Sequence, residues 1–428
     1  MELKKIAILY LSLISTFSWA RDDDSPSITS FAHHSQEMLP IEKTGILLDT
    51  SITINVKDLD DETRARVMRI LMALKVPYEI PMSLTPLHSE IQHTHKQSMR
   101  KNRVLCLDGG GTRGIIEATI LTYIEETTGK QIYELFDIVI CSSTGTIIGA
   151  GLCYDRPLIE STSQTPSRPY TAKEMGQFYR DEAPNIFSGY IYSSVYGLRG
   201  TQYSDDPARK VYAEYTGKTL LSEARTKFIA TTQDLSSYSP HVFSSEVAKQ
   251  GTKYATLDLV TVIRTATAAP TFFDPIVIEQ TSHCDGGITN NNPAEIGILE
   301  ACEQLGLSPH ELLVLSLGAG FTDPNPSKSY TNLGGTEWLG IISGNIFNGK
   351  NQDFTVSQWL KLCRKHDVLG RGNEKNYLRI QPNLPSELYK LDAHSSDFFD
   401  GLVKVAEEEI VKHKEALDEF IDRLTQDS

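Results

Sequence analysis

Three short segments hold residues whose types and spacing could do chemistry. The first is Asp108-Gly109-Gly110-Gly111-Thr112-Arg113-Gly114, placed after an apolar strand pattern and before a helical one. Consecutive glycines let backbone N–H groups converge on one concavity, and a helix N-terminus adds positive potential. That suits a phosphate or a developing oxyanion, and a plain glycine turn fits it too. The Gly-Lys-Ser/Thr ending of a P-loop is absent, as is the dinucleotide fingerprint spacing, which argues against a nucleotide phosphate.

The second segment is Ile140-Cys141-Ser142-Ser143-Thr144-Gly145. A serine at a sharp strand-to-helix turn exposes its Oγ at the carboxyl edge of a sheet, the form of a nucleophile elbow. A helix N-cap is the alternative for such a residue. The elbow needs small neighbours where strand and helix approach. Gly145 supplies one two residues after Ser143, while Cys141 stands two before it, where glycine is usual. Ser142 is a rival nucleophile, but the residue two positions after it is Thr144.

The third segment is His283-Cys284-Asp285-Gly286-Gly287, followed by Asn290-Asn291-Asn292-Pro293. An aspartate before a glycine pair can reach across a tight turn and serve as a base, and it can also be an ordinary turn residue. His283 is given no catalytic role, because no Ser/His/Asp set stands at a recognisable spacing.

Elements able to hold these groups are legible around them. Val104–Leu107, Phe136–Ile140, Lys227–Thr232, Leu312–Leu317 and Tyr377–Ile380 read as strands, with helical spacing over Ile115–Thr127 and Gly145–Cys153. Strands alternating with helices predict a mainly parallel sheet covered on both faces. Asp397–Leu424 reads as a strongly helical end that packs on this core. Asp155 to Ser222 is rich in Pro, Tyr and Ser and is expected to cover the site. Upstream, Ser51–Val56 alternates like a strand, and Asp61–Leu74 places Val67, Ile70, Leu71 and Leu74 on one helix face behind an Asp61 cap. His88, His93 and His95 lie in a polar stretch without carboxylate or Cys partners at ligand spacing, so that stretch reads as a linker and not a metal site.

The chain has 428 residues, 40% hydrophobic and 22% charged, with a formal net charge of −14. This acidity argues against nucleic acid, which rewards Lys/Arg clusters. Lys4 and Lys5, an apolar run from Ile6 to Trp19, and Ser18-Trp19-Ala20 form the pattern of a secretory signal. The expected division is a signal peptide over 1–20, an N-terminal extension over 21–100 and an α/β domain over 101–428. Export to the periplasm or exterior follows, with an uncleaved anchor as the less favoured reading. Of the six cysteines, Cys106, Cys141, Cys153 and Cys302 fall in apolar strand or helix patterns, so buried free thiols are expected and no disulfide framework.

Taken together, the glycine loop, the elbow and the Asp-Gly-Gly stand in the order and spacing of the patatin-like phospholipases, which this chain resembles. The likeness continues in Arg168–Glu174 with Phe178-Tyr179, in Thr265–Phe273 with its Ala-Ala-Pro, and in Leu313–Gly320 and Asn376–Gln381. It runs from about Arg103 to Glu409 and leaves residues 21–100 outside. The resemblance implies a three-layer α/β/α fold and a Ser–Asp dyad without a catalytic histidine. Carried over, Ser143 is the nucleophile, Asp285 the base, and the amides of Gly109, Gly110 and Gly111 the oxyanion hole, helped by Arg113. Cys141 and Thr146 depart from the family, which often has glycine at both positions. The implied substrate is a glycerophospholipid, a lysophospholipid or another acyl lipid met at a membrane surface, with no cofactor, no metal and room for an activating protein. A non-catalytic lipid-binding or host-interaction protein on the same fold is the alternative.

Overall fold

The computed structural model describes residues 102–157, 167–189, 201–251, 253–305, 312–322, 353, 356 and 376–425. The expected signal, leader, early strand and helix, and His-rich linker all lie outside these residues.

The chain opens with β1 (Asn102–Leu107), whose buried run ends in the glycine loop, and continues into α1 (Ile115–Thr128). Gly129, at φ 67°, stops that helix in the left-handed conformation. Then come β2 (Ile138–Ser142), α2 (Thr144–Cys153), α3 (Ala172–Ile186) and α4 (Asp205–Thr216). Thr171 caps α3 in a reciprocal box with Glu174, and Ser204 caps α4. The next elements are β3 (Lys227–Asp234), β4 (Ser239–Ser244), α5 (Leu259–Ala266), β5 (Ile276–Ile278) and β6 (Thr281–Asp285). The described chain closes with α6 (Ala294–Leu305), β7 (Leu312–Leu317), β8 (Tyr377–Ile380), α7 (Ser396–Lys412) and α8 (Lys414–Thr425). The predicted long terminal helix is thus two helices, parted at His413.

All eight strands belong to one sheet in the order β5-β6-β3-β2-β1-β7-β8, with β4 beside β3. The pairs among β1, β2, β3, β7 and β8 are parallel; β4, β5 and β6 form an antiparallel margin. Alternation along β1 splits the core in two. Leu105 and Leu107 face the helices α1, α2, α3 and α7, while Val104 and Cys106 face α6 through Ala294, Ile298 and Ala301. The architecture is therefore the expected three layers.

One pairing detail positions the chemistry. Along β3, Ser142 of β2 lies opposite Thr231, and Asp285 of β6 lies opposite the next residue, Thr232. Strand β4 pairs with β3 from Ile229 to Asp234, so it occupies the other side throughout. Strands β2 and β6 thus run into one another end to end along one edge of β3, from opposite directions.

Candidate active site

Ser143 sits at φ 47° and ψ −121°, between the end of β2 and the start of α2. A non-glycine residue reaches this region only under constraint, and here the turn throws Oγ out over the carboxyl edge of the sheet. The constraint is visible in the packing. A Cβ on Gly145 would stand 2.5 Å from the Leu107 carbonyl oxygen, so α2 approaches β1 at backbone distance. The Gly145 N–H donates to the Asp108 carbonyl at 3.1 Å, and the Tyr179 hydroxyl meets Thr144 Oγ1 at 2.5 Å. Cys141 is fully buried in β2 and is accommodated by α2, as described below.

Ser143 Oγ donates to Asp285 Oδ2 at 2.6 Å, across 142 residues of chain. The second carboxylate oxygen, Oδ1, accepts from the Gly287 N–H at 2.7 Å, the reach across the turn expected of Asp-Gly-Gly. Burial raises the Asp285 carboxyl to about 6, while its bonds from Ser143 and Gly287 and the positive charge of Arg264 hold it from rising further. Arg264 is itself fully buried and paired with Asp205 of α4. No motif in the sequence singles out Arg264; its part depends on the packing of α4 against α5.

The glycine loop differs from expectation in one donor. The Gly109 N–H donates to the Asn291 carbonyl at 2.9 Å, so it is committed and cannot also receive an oxyanion. Gly109 contributes by being small: a Cβ there would stand 2.9 Å from Ser143 Cβ. Among the described residues no hydrogen-bond acceptor takes the amides of Gly110 and Gly111. The Thr144 amide, first in α2 and next to the serine, likewise has no acceptor, as the opening N–H of a helix must. Gly110, Gly111 and Thr144 line the same cavity as Ser143 and Asp285. Gly110, Gly111 and Thr144 are therefore the residues whose unengaged amides border the cavity. Thr144 was readable in principle, because the residue after an elbow nucleophile supplies such an amide.

Arg113 lies beneath the loop. Its Nε donates to the Gly110 carbonyl at 3.0 Å, its Nη1 donates to the Gly320 carbonyl at 2.8 Å, and its guanidinium lies 4.1 Å from the Tyr389 ring centroid. It holds the loop in shape, and Gly110 and Gly111, not the Arg113 side chain, face the cavity. Below this, Arg379 clasps the buried Asp108 carboxylate with two bonds of 2.8 and 2.6 Å.

The cavity above the dyad is walled by apolar groups including Ile147, Phe178, Ile186, Phe272 and Phe273. Phe272 and Phe273 thus join the site. Neither His241 nor His283 hydrogen-bonds to Ser143 or Asp285; their rings pack on each other with centroids 5.1 Å apart. Burial lowers both, His241 to about 4, so both are neutral at physiological pH. Cys106, Cys141, Cys153 and Cys284 are buried free thiols, and Cys302 is buried. Among the described residues no group of three or more His, Cys, Asp or Glu side chains could hold a metal ion.

The model of the patatin-like phospholipase family matches residues 105–298, a span holding all three motifs. A patatin-like protein 2 of Oryza sativa subsp. indica is 30% identical over 71% of this chain and 82% of its own length. The chain belongs to the patatin-like phospholipase family. Membership makes it a lipid acyl hydrolase. A cGAMP-activated phospholipase of Vibrio cholerae is 25% identical over 74% of this chain and 94% of its own. Among solved structures, VipD from Legionella pneumophila aligns over 76% of this chain and 68% of that one, with 12% identity and a TM-score of 0.41.

Proposed function

We propose that this patatin-like hydrolase cleaves carboxylic esters of membrane lipids, as a phospholipase A or lysophospholipase, with Ser143 as nucleophile and Asp285 as its base. The observation that carries the reading is the 2.6 Å bond from the Ser143 hydroxyl to a buried carboxylate, next to three free amides in an apolar cavity. In the first step Asp285 takes the proton as Ser143 Oγ attacks the ester carbonyl, then gives it to the departing oxygen, so that the lipid alcohol leaves, an acyl-enzyme remains and the carboxylate is ionised again. Negative charge developing on the carbonyl oxygen is met by the Gly110, Gly111 and Thr144 amides, each worth about 3 kcal/mol when well aimed. A water molecule, deprotonated by the same carboxylate, then releases the fatty acid.

A histidine is unnecessary because burial has moved Asp285 toward neutrality, where a carboxylate is a better base than one in water. The decisive assay is fatty-acid release from purified glycerophospholipids in vesicles and from short-chain esters, comparing wild type with Ser143→Ala and Asp285→Asn. Loss in both variants, each still folded, supports the dyad; undiminished release by either removes it. The assay includes an arm with a cyclic dinucleotide, since the Vibrio cholerae relative is named for activation by cGAMP. Export through residues 1–20 belongs to the same reading and is tested by N-terminal sequencing of the mature chain.

A further inference from the structure

The run Asn290-Asn291-Asn292 follows the aspartate turn, and its three side-chain amides bond in different directions. Asn290 Nδ2 donates to its neighbour Thr289 Oγ1 at 3.1 Å. Asn292 Oδ1 accepts from the Ala294 N–H at 2.9 Å, at the start of α6, while its Nδ2 donates to Asp353. Asn291, only 2% exposed, reaches instead to the glycine loop. Its backbone carbonyl accepts from the Gly109 N–H at 2.9 Å, and its Nδ2 donates to the Gly109 carbonyl at 3.2 Å. One residue therefore holds both polar groups of Gly109. Among the described residues no backbone N–H takes that carbonyl.

The second of these bonds bears on Gly110. The Gly109 carbonyl and the Gly110 N–H belong to one planar trans peptide, where they point in opposite directions. A donor that holds the carbonyl turns the N–H away from itself. Gly110 borders the cavity and Asn291 does not. The peptides carrying the other two unengaged amides are held in the same manner. The Gly110 carbonyl, in one peptide with the Gly111 N–H, accepts from Arg113 Nε at 3.0 Å and from the Arg113 N–H at 3.3 Å. The Ser143 carbonyl, in one peptide with the Thr144 N–H, accepts from the Thr146 N–H at 2.8 Å. Those anchors come from the glycine loop and from α2 themselves. Asn291 comes from a separate segment, and that segment begins with Asp285. A short helical turn over Gly287–Asn290, closed by the Asn290 N–H on the Gly286 carbonyl at 2.8 Å, joins the two residues.

We infer that Asn291 is a positioning residue for ester hydrolysis: its side chain fixes the plane of the Gly109–Gly110 peptide and so aims the Gly110 N–H at the oxyanion. The inference rests on the reading of Ser143 as nucleophile and of the cavity as the ester site. Asn291 touches no reacting atom. It acts through a backbone amide, and it registers that amide against the segment that carries Asp285. Replacing the side chain leaves the backbone bond from Gly109 to Asn291 in place, so the loop stays tethered while one peptide is freed to rotate.

The test compares wild type with Asn291→Ala on a soluble chromogenic ester and on the corresponding thionoester, whose C=S is a poor hydrogen-bond acceptor. Asn291→Ala is expected to lower kcat for the ester about ten- to a hundredfold with KM nearly unchanged, the mark of an interaction made in the transition state. The ester-to-thionoester rate ratio should fall by a similar factor. The acid limb should stay where it is in wild type, because Asp285 keeps its own bonds. Asn291→Asp, with the same shape and at neutral pH no donor, serves if the alanine variant does not fold, and should show the same loss of kcat. A folded variant with wild-type kcat overturns the inference. So does a loss that falls equally on ester and thionoester, or one that comes with a displaced acid limb. If thionoester turnover is too slow to follow, kcat, KM and the acid limb decide. Undiminished hydrolysis by Ser143→Ala in the same assay would instead remove the underlying chemistry, which separates the two failures.

Discussion

Cys141 and Gly149 occupy complementary space across the contact of β2 with α2: a Cβ on Gly149 would overlap Cys141 Sγ. The thiol standing where the elbow usually has glycine is thus absorbed one layer away, by a glycine inside the helix. Burial pushes the Cys141 thiol well above its usual range, so it stays protonated and behaves as a small apolar wedge. Gly149→Ala gains about 1 kcal/mol of helix propensity but overpacks the contact at a cost of about 1–3 kcal/mol. The expected result is a net loss of stability in chemical denaturation that is recovered in the double variant Cys141→Gly, Gly149→Ala. Additive effects of the two changes would show that they do not share this space.

The acid side of the pH–rate profile should report Asp285. Its carboxyl must be ionised to accept the serine proton, and its folded value is about 6. kcat/KM for a neutral ester is therefore expected to rise with pH through about 6, well above the 3.9 or so of a free carboxylate. An acid limb centred near 4 would contradict the assignment.

The same shift makes Asp285 a burden on the fold. Asp285 keeps a proton up to about 6 when folded, but only to about 3.9 when unfolded. Between those values the folded state binds the extra proton, so stability contributed by this group is full below about pH 4 and lost as pH rises through about 6. Asp285→Asn has no proton to lose and keeps a donor for Ser143 and an acceptor for Gly287. It is expected to be inactive yet about 3 kcal/mol more stable than wild type at neutral pH, a gain that disappears in acid. Thermal unfolding at the two pH values measures this.

Gly110 and Ala319 meet where the loop passes the end of β7, and a Cβ on Gly110 would overlap that of Ala319. Gly110→Ala should displace the donor amide and lower kcat by about a hundredfold or more with little change in KM. Ala319→Gly in the same chain should restore most of the loss. Failure of that rescue would place the defect elsewhere in the loop.

Arg379 is the counter-charge of Asp108, which is fully buried at the root of the glycine loop. Arg379→Gln leaves that carboxylate without its bidentate partner, and the expected cost is about 3–5 kcal/mol. Urea denaturation reads it. A loss near 1 kcal/mol would mean that water or Asp108 protonation compensates.

The elbow around Ser143 and Gly145 and the turn after Asp285 have local signatures, set by neighbours within a few positions, but each alone also fitted a helix cap or an ordinary turn, and the pairing of the two residues was implied by the family resemblance. Strands β1, β2, β3 and β7 were legible as largely apolar runs, since both their faces are buried, whereas the edge strand β8 carries Arg379 and is buried only at Ile380. The short antiparallel strands β4, β5 and β6 were not: they alternate weakly, and β5 has three residues. The commitment of the Gly109 amide depends on Asn291, 182 residues away, and no local pattern records it. Arg264 is similar, because its influence on Asp285 exists only once α5 is packed.

The meeting of β2 and β6 along β3 has a consequence for how this site can change over evolutionary time. Thr231 and Thr232 act as adjacent marks on a common ruler, one indexing the end of the serine strand and the other the end of the aspartate strand. The separation of Ser143 and Asp285 is therefore measured in units of the strand repeat, about 3.3 Å, and not by any loop. Loops on either side can lengthen, shorten or be exchanged without retuning the pair. A single residue inserted into β3 between those two marks would part them and turn one stretch of β3 side chains to the opposite face of the sheet.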